Sequence, residues 1–444
     1  MKKYEAYKNS GIEWIGQIPE SWSVVSLKYN LSLKGRIGWN GLKSEEFQEK
    51  SYAYLVTGQD FNSDVVNWEK CYQINKERYD EDPFIQLENG DLLVTKDGTI
   101  GKVAKVVNLD KPACLNSGIF VVKQTKGVFE QNYLYWVLVS NQLKEFVGFN
   151  STGSTIAHLY QNVFENMPLT VPTLTEQKAI ASYLDYKVGQ IDASISAINT
   201  QLDDLKSYRQ SIISEAVTKG LNPDVPMKDS GVEWIGEIPE SWECTKLGWV
   251  YMNMGSGTTP DTNNLNYYSE NGVNWLQTGD LNDSEIIMTS KHVTELAIKE
   301  RGMKLYPAGS VVIAMYGATI GKVGLLKIET TTNQACCVLP NVDNMYNRYA
   351  FYTVQSSKTA LLAKSAGGGQ PNISQTIIKE HKIPVPSLDE QFVIADYLDS
   401  KTSKIDAAIK SLEVQRDDLN TLKLSIISEA VTGKIDVRDW KPNK

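Results

Sequence analysis

Two short segments place threonine, glycine and lysine at the same spacing, TIGK at 99–102 and again at 319–322. A phosphate-binding loop needs two glycines separated by four residues, then lysine and serine or threonine, so that backbone amides wrap the phosphates. Here Gly98 lies only three residues before Gly101, and valine follows each lysine. The pattern therefore does not match a nucleotide-binding loop. It predicts a tight turn between two strands, with Gly101 and Gly321 supplying the bend.

The lysine of each turn leaves a second interpretation open. Lys102 and Lys322 would stand beside the bend, where each would present a positive charge to a phosphate backbone. The turn alone explains the same residues, so both interpretations stand at this point.

A glycine run forms the next candidate, GGGQPNIS at 367–374, and its counterpart GSTIAHLY at 153–160 lacks the run. Three glycines allow a backbone to approach a grooved surface closely. Gln370 and Asn372 are side-chain types that pair bidentately with adenine. A plain surface loop is the alternative explanation.

The sequence holds no constellation for covalent chemistry. It lacks the Asn/Asp/Ser-Pro-Pro-Tyr/Phe tetrapeptide and the Phe-x-Gly-x-Gly loop of adenine methyltransferases, and it has no convincing nuclease motif. Its 3 histidines lie far apart, and its 5 cysteines are odd in number with no pair spaced by two residues. A disulfide framework or a zinc site is therefore not expected. We predict a non-catalytic chain with no metal and no cofactor of its own.

Composition sets the compartment and limits the partners. The 444 residues are 41% hydrophobic and 22% charged, as in soluble proteins of several domains. The basic N-terminus lacks the apolar core of a secretory signal, and no apolar run is long enough for a membrane helix, so a cytoplasmic location is expected. The net charge of −8 argues mildly against a nucleic-acid partner.

The chain repeats itself, and this constrains the fold most. The segment 8–29 matches 228–249 at 13 of 22 positions, and 201–218 matches 415–432 at 12 of 18 positions. YLVTGQDF at 54–61 is echoed by WLQTGDL at 275–281. Because each repeat spans about 215–220 residues, it is a duplicated domain plus helix rather than a solenoid unit.

Each repeat has the same order of predicted elements. Short apolar runs flanked by turn residues predict strands, and spacing near 3.6 residues predicts short helices at 131–147 and 346–363. A Val-Pro-x-Leu-x-Glu-Gln segment then leads into a long helix, with Thr175 and Asp389 as expected caps. The predicted strands are 91–95, 102–107, 118–123, 311–316, 322–328 and 335–340.

Two further groups of residues have simple structural explanations. Trp14, Trp22, Trp234 and Trp242 recur with glycine and proline between them, which favours packing of each N-terminal arm on its own domain. Base stacking is the minority interpretation, since a stacking platform also needs basic neighbours. The carboxylate pairs at 203–204 and 417–418 are most simply a solvated helix face or a partner contact.

Apolar residues step 4-3-4-3 along both long helices, 176–218 and 390–432. A sustained period of 3.5 favours a coiled coil over two helices that each lie on their own domain. Two similar units that associate through similar helices tend to do so about a two-fold axis, which makes the helices antiparallel. The predicted seam contains Leu184, Ile191, Ile195, Ile198, Leu202, Leu205, Leu398, Ile405, Ile409, Leu412 and Leu419.

The predicted fold class is therefore α+β. Two similar mixed α/β domains, separated by two long helices in an antiparallel coiled coil, would give an internal pseudo-two-fold. The predicted domains are 1–172, the first spacer helix at 173–218, the second domain at 219–386, and the second spacer helix with the tail at 387–444.

These motifs, in this order and twice, resemble the specificity subunit of type I restriction–modification systems. The likeness extends over nearly the whole chain and includes MYGATIGKVG at 315–324, GGGQPNIS at 367–374 and IPVPSLDEQ at 383–391. The first copy departs from the common forms at 96–102 and 153–159. The resemblance implies that each globular domain is a target recognition domain reading half of a split DNA sequence.

The same resemblance implies the partners. Two modification subunits would hold S-adenosylmethionine and methylate adenine, and motor-nuclease subunits would use ATP and Mg²⁺; this chain would bind double-stranded DNA and no membrane. The rival hypothesis is a coiled-coil scaffold with two protein-binding modules and no nucleic-acid role. The residues predicted to contact DNA are Thr57, Gln59, Lys96, Lys102, Ser154, Thr155, Thr278, Lys322, Gly368, Gln370 and Asn372.

Charge is spread evenly over the predicted parts. Residues 1–172 carry 18 basic and 20 acidic side chains, and residues 219–386 carry 14 and 16. Neither predicted recognition domain is basic overall, so DNA binding needs lysines placed on one side or positive surface from the modification subunits.

Overall fold

The structure is a computed structural model that describes residues 2–36, 42–62, 64–150, 158–365 and 372–442. It divides into two compact units. The first contains Met1–Ile198 and Val414–Lys444, and the second contains Asn199–Glu413. Each unit therefore combines one globular domain with part of each long helix.

The first unit contains thirteen described strands and four short helices, followed by the start of a long helix, α5. The strands are β1 (Tyr7–Asn9), β2 (Gln17–Pro19), β3 (Ser23–Ser26), β4 (Leu31–Lys34), β5 (Ala53–Val56), β6 (Phe61–Asn62), β7 (Val65–Val66), β8 (Tyr72–Ile74), β9 (Leu92–Thr95), β10 (Val103–Lys105), β11 (Ala113–Leu115), β12 (Ile119–Gln124) and β13 (Pro168–Val171). The helices are α1 (Lys76–Asp80), α2 (Gln131–Val139), α3 (Asn141–Asn150), α4 (Gln161–Phe164) and α5 (Leu174–Lys219).

The second unit has the same plan, and its last helix is the second long one, α11. The strands are β14 (Met227–Asp229), β15 (Glu237–Pro239), β16 (Glu243–Lys246), β17 (Gly255–Ser256), β18 (Tyr268–Leu276), β19 (Ser284–Ile286), β20 (His292–Val293), β21 (Val311–Ala314), β22 (Val323–Leu326), β23 (Thr331–Thr332), β24 (Cys336–Leu339) and β25 (Lys382–Val385). The helices are α6 (Leu247–Val250), α7 (Glu295–Arg301), α8 (Asn347–Ser356), α9 (Lys358–Ala363), α10 (Gln375–Glu380) and α11 (Leu388–Val431).

Sheet topology repeats between the units. The larger sheet has the order β4-β12-β9-β10-β7-β6 in the first unit and β17-β24-β21-β22-β19 in the second. In both, the central strands pair antiparallel, while β10 with β7 and β22 with β19 are parallel. A three-stranded sheet lies beside each, β11-β5-β8 and β20-β18-β23. The duplicated sequence thus folds twice into the same mixed α/β domain.

The central strands are buried on both faces, which explains their continuous apolar runs. In β9, Leu92 and Val94 join the core that contains the helices, whereas Leu93 joins the core beneath the three-stranded sheet. In β21, Val311 and Ile313 face the helices, and Val312 packs with the smaller sheet. A strand covered on both sides shows no alternation of polar residues. All six predicted strands are confirmed, with bounds that differ by at most two residues.

Each predicted short helix is in fact two helices, divided at Ser140 and at Ser357. The Ser140 hydroxyl donates to the Val137 carbonyl, and the Ser357 hydroxyl donates in the same way to Val354. Such local side-chain bonds compete with the helical backbone pattern. The apolar period continues across each break, so the period alone did not locate it.

The long helices begin with a capping box one residue before the first helical turn. The Thr173 hydroxyl and backbone amide both donate to Glu176, and Ser387 does the same with Glu390. The expected caps Thr175 and Asp389 are therefore wrong, because the helices begin at Leu174 and Leu388. Those two residues lie inside the first turn, where a cap has no function.

Within each unit the two long helices pack antiparallel, as predicted. In the first unit Asp192 of α5 pairs with Lys423 of α11 at 2.7 Å, and Trp440, which follows α11, packs on Tyr183 of α5. In the second unit Arg209 pairs with Asp406 at 2.8 Å. The two ion pairs are equivalent positions of the repeat with the helices exchanged.

The predicted seam is the buried face of both helices. Leu184, Leu202 and Leu398 are at most 2% exposed, while Ile195 and Ile409 pack at the edges of the cores. Nearer the globular domains the buried face widens to include Ile180 and Tyr183 in one unit and Ile213 and Val217 in the other. In each unit, both long helices thus contact each other and the globular domain of that unit.

The tryptophans of the repeated arm belong to the core, which confirms the structural interpretation. Trp22 and Trp242 are at most 1% exposed, and their indole nitrogens donate to the capping glutamates Glu176 and Glu390. Trp14 packs on Phe146 and Phe149. The acidic pairs at 203–204 and 417–418 are exposed on the helices.

His381 occupies a core position of the second unit. Its ring is fully buried, stacks on Trp234 at 5.4 Å, and has no hydrogen-bond partner on either nitrogen among the described residues. Burial, together with the smaller effect of the Lys364 charge, lowers the pKa of His381 to about 4. The equivalent residue of the first unit is Met167, since both carbonyls accept the same strand-end amide.

We expect Thr173→Ala to destabilise the first unit by about 1 kcal/mol, since an N-cap hydroxyl contributes roughly that much. Thr175→Ala, a matched change two residues away, should alter stability by only a few tenths of that amount. Chemical unfolding followed by circular dichroism measures both. Equal effects of the two substitutions would contradict the observed helix start.

We also expect acid to destabilise the second unit through His381. Because the folded pKa lies below the ordinary value of 6.5, the stabilisation is complete above pH 6.5 and is lost as the pH falls towards 4. The loss should reach about 3 kcal/mol. His381→Met, which installs the residue of the first unit, should remove this pH dependence in thermal unfolding. His292→Gln is the control and should retain it.

Candidate nucleic-acid interface

The TIGK turn of the first unit connects β9 to β10 and is closed by Thr95. The Thr95 hydroxyl donates to the Thr99 carbonyl at 2.5 Å and accepts the Lys102 amide at 2.9 Å. The Gly101 amide donates to the Thr95 carbonyl, and Gly101 has a φ of +83° that disfavours other residues. The predicted glycine bend is therefore confirmed.

In the second unit a different hydrogen bond stabilises the equivalent turn. Gly321 has a φ of +75°, and its amide donates to Ala314, the counterpart of Thr95. Alanine has no hydroxyl to close the turn. Instead the Thr319 hydroxyl donates to the Thr278 carbonyl at 2.7 Å, which ties this turn to the neighbouring one.

The neighbouring turn follows β5 in the first unit and β18 in the second. Asp60 accepts the Thr57 amide and hydroxyl at 2.6 and 2.8 Å. Asp280 accepts the Gln277 amide at 2.9 Å in the same way. The structural counterpart of Thr57 is thus Gln277, one residue before the Thr278 that the sequence comparison suggested.

These aspartates were not predicted, although an acidic residue four positions after each strand end was a usable signal. Burial raises the pKa of the Asp60 carboxyl, and the hydrogen bonds from Thr57 oppose that shift. The carboxylate orders the turn from inside, which leaves the outward residues such as Gln59 exposed.

A third segment reaches the same edge of each domain. The Leu159 amide donates to the Lys96 carbonyl at 3.0 Å, and the Ile373 amide donates to Met315 at 2.8 Å. These residues follow GSTIAH and GGGQPN, so the residue after each candidate loop lies beside a TIGK turn. Ser154, Thr155, Gly368 and Gln370 lie outside the described residues.

The structure thus brings together three segments that are far apart in sequence. In the first unit Gly58 lies against Thr95, where an added Cβ would be 3.0 Å from the threonine methyl. Asn372 is exposed in the second unit, and its counterpart His158 is hydrogen-bonded to Asp97 and packs on Tyr160. The His158–Asp97 pair was also not predicted.

The predicted lysines have three different environments. Lys102 is exposed. Lys322 is half-buried and donates to the Asn282 side chain at 2.8 Å. Lys96 packs over the Phe120 ring at 4.9 Å, and burial lowers its pKa against the opposing charge of Asp97. Lys102 and Lys322 are therefore better placed than Lys96 to meet a phosphate.

No group of three or more histidine, cysteine, aspartate or glutamate side chains could hold a metal ion within the described ranges. Separately, none of the helices in the described part of the chain is long and apolar enough to cross a membrane.

Fold and site together define a protein with two copies of a mixed α/β domain, each with a three-segment polar edge and a long helix. The family model "Type I restriction modification DNA specificity domain" matches residues 40–204 and 239–414. These matches cover more than half of the chain, once in each repeat. The chain belongs to this family.

Two curated relatives extend the likeness to most of the chain. It is 28% identical over 441 residues to the type I restriction enzyme MjaVIII specificity subunit of Methanocaldococcus jannaschii, covering 95% of each chain. It is 22% identical over 365 residues to the EcoBI specificity subunit of Escherichia coli, covering 79% of this chain and 74% of that one.

The fold also matches a solved structure. A chain from the structure of complex assembly and conformational transition of the type I R-M system aligns with a TM-score of 0.71 and 16% identity, covering 94% of this chain and 99% of that one. At this identity the match establishes the shared fold.

We expect Thr319→Val to loosen the turns of the second unit, because it removes the hydroxyl that ties them together. Losing a hydrogen bond of this kind costs about 1 kcal/mol. Hydrogen exchange of the amides at 320–323 should accelerate by roughly fivefold. Thr319→Ser keeps the hydroxyl and should exchange like the native chain; faster exchange in both would implicate the lost methyl group instead.

Proposed function

We propose that this chain is the non-catalytic specificity subunit of a type I restriction–modification complex. It reads a split DNA target with two recognition domains and positions adenine-methylating and motor-nuclease subunits on the DNA. The observation that carries the proposal is the match of the DNA specificity family to both repeats. The recognition domains keep the bounds 1–172 and 219–386, the first spacer helix 173–218, and the second spacer helix with the C-terminal tail 387–444.

The arrangement of each domain supports DNA reading. Three segments converge at one edge, where exposed polar side chains lie beside a lysine-bearing turn. Base-edge contacts need polar side chains on a fixed support, and phosphate contacts need cations near them. The candidate contacts of the first domain are Thr57, Gln59, Lys102, Ser154 and Thr155. Those of the second are Thr278, Lys322, Gly368, Gln370 and Asn372, while Lys96 ranks below the other lysines.

The two long helices have an assembly role and no catalytic role. The two long helices act as a spacer for the two half-sites and as a surface for two modification subunits. This chain binds no cofactor of its own. S-adenosylmethionine, ATP and Mg²⁺ belong to the partner subunits.

The two domains should read different half-sites. The framework of the repeats matches, but 31–53 and 62–89 show little likeness to 252–274 and 282–308. Different turns and loops on one scaffold are where readout differs. In a chimera, a second copy of 1–172 replaces 219–386. We expect it to direct methylation of a palindromic target made of the first half-site, mapped as N6-methyladenine in genomic DNA.

The reciprocal chimera, with 219–386 in both positions, is the control and should give a palindrome of the second half-site. An unchanged methylation motif in both chimeras would refute the assignment of readout to these domains. Absence of any chain-dependent methylation, together with no retention on DNA, would favour the scaffold hypothesis.

A further inference from the structure

A polar pocket of about 690 Å³ lies within the second unit, between helix α5 and the globular domain. Lys206 and Arg209 of α5 form one wall, and the start of α9 at Lys358 forms another. The turn at 282–284 closes the side nearest the candidate interface. The floor includes Asp406 of α11. All of these residues belong to one unit, so the pocket depends on no contact outside it.

The charges around this pocket do not cancel. Arg209 neutralises Asp406 by donating two hydrogen bonds of 2.8 and 3.3 Å to its carboxylate. Asp283 accepts the Val323 amide at 2.8 Å and lies 3.9 Å from Lys358. No carboxylate is within ion-pair distance of Lys206 in the part of the chain that the structure describes.

Lys322 adds a fourth cation at the rim, since it bonds the neutral side chain of Asn282 at 2.8 Å. The pocket lining itself carries three cations and two carboxylates, a net charge of +1, and Lys322 adds a positive charge beside Asn282, in a chain whose total is −8. Such a local excess attracts an anion although the protein as a whole repels one.

Unpaired polar atoms line the same pocket. Gln355 is 5% exposed, and its amide nitrogen donates to the Asp283 carbonyl, but its side-chain oxygen has no partner among the described residues. The buried Ser356 hydroxyl also lacks one. A buried polar atom without a partner costs free energy, so a ligand that satisfies it binds more tightly. The hydroxyl can donate to an anion, and the Gln355 oxygen can accept from a lysine ammonium that closes over it.

The first unit carries asparagine at the two decisive positions. Lys206 corresponds to Asn420 on the matched heptad, and Lys358 corresponds to Asn141, which follows the same serine helix break. The first unit does have an equivalent of the Arg209–Asp406 ion pair, formed by Lys423 and Asp192. The extra cations are therefore compatible with the scaffold but not required by it, which points to a ligand rather than to folding.

We propose that this pocket of the second unit binds a phosphate of the DNA backbone, with Lys206 and Lys358 as its anion-binding side chains. The inference rests on the proposed function. The pocket adjoins the TIGK turn, because Asp283 accepts the Val323 amide and Asn282 accepts Lys322. A phosphate contact beside a base-reading edge fixes the register of the domain on the duplex. Helix α5 would then touch the DNA as well as setting the spacing.

The test is the double variant Lys206→Asn, Lys358→Asn in the full chain assembled with its methyltransferase partner. Binding to a target duplex and to an unrelated duplex is measured over a series of salt concentrations. We expect affinity to fall about 30-fold at 0.15 M salt on both duplexes, and the slope of log affinity against log salt to shrink by about 1.8. The methylated sequence should stay the same, since phosphates carry no sequence information.

Lys206→Arg, Lys358→Arg is the matched control, which keeps both charges and should bind within about threefold of the native chain with an unchanged slope. Lys206→Gln, Lys358→Gln repeats the loss of charge with a better helix former, in case asparagine weakens α5. Thermal unfolding verifies that each variant folds.

Native affinity and slope in both uncharged variants would overturn the proposal. A lower affinity with an unchanged slope would also overturn it, because no phosphate contact would have been lost. Dissociation of the methyltransferase partner with intact DNA binding would identify an acidic protein segment as the occupant. If the native complex itself shows no affinity for any duplex, the proposed function fails rather than the pocket assignment.

Discussion

A glutamate and a glutamine at the start of each long helix hold the helix and the globular domain in one arrangement. Glu176 closes the capping box and accepts the indole of Trp22, so the N-terminal arm is fixed to the helix start. Gln177 donates to the carbonyls of Pro172 and Val128 and accepts the Glu130 amide, which fixes the beginning of α2. Because these bonds are buried, breaking one leaves a polar group without water, and the junction is correspondingly rigid.

At the start of the second long helix, Glu390 and Gln391 make the equivalent hydrogen bonds. The contacts between the two long helices also fix their alignment. The ion pair of Arg209 with Asp406 is half-exposed on its acidic side, so it contributes at most about 1 kcal/mol. The ion pair instead helps to fix the register of one long helix against the other. A shift by one heptad would place each cation away from its carboxylate, and its symmetric counterpart would be lost at the same time.

Sequence reasoning succeeded where a periodic or repeated signal existed. Strands such as β9 and the heptads through Leu202 follow from local pattern, because a buried face repeats along a strand or helix. The cap at Thr173 and the break at Ser140 depend on single hydrogen bonds that leave the period unchanged, so they were missed. That Thr57 corresponds to Gln277, and not to Thr278, becomes clear only from the hydrogen bond that the Asp60 carboxylate accepts from the Thr57 amide. The pocket at Lys206 joins four segments, 206–210, 282–284, 355–359 and 406–409, each at least 47 positions from the next, and no local pattern predicts such a contact.

An acidic chain that binds DNA must arrange its charges at short range. At physiological salt a charge is screened over about 8 Å, so the net charge of −8 matters less than what lies beside each phosphate. In the second unit the acidic residues nearest the pocket are occupied, Asp406 by Arg209 and Asp283 by a backbone amide. Those bonds leave Lys206 and Lys358 as the side chains that would bind the anion. In the first unit Asn420 and Asn141 replace the two lysines, so under the proposed function its affinity would have to come more from Lys102 and the partner subunits. The duplication would thus give two recognition domains with the same fold but unequal affinity for the DNA backbone. The domain with the lower affinity would depend more on the assembled complex for DNA binding.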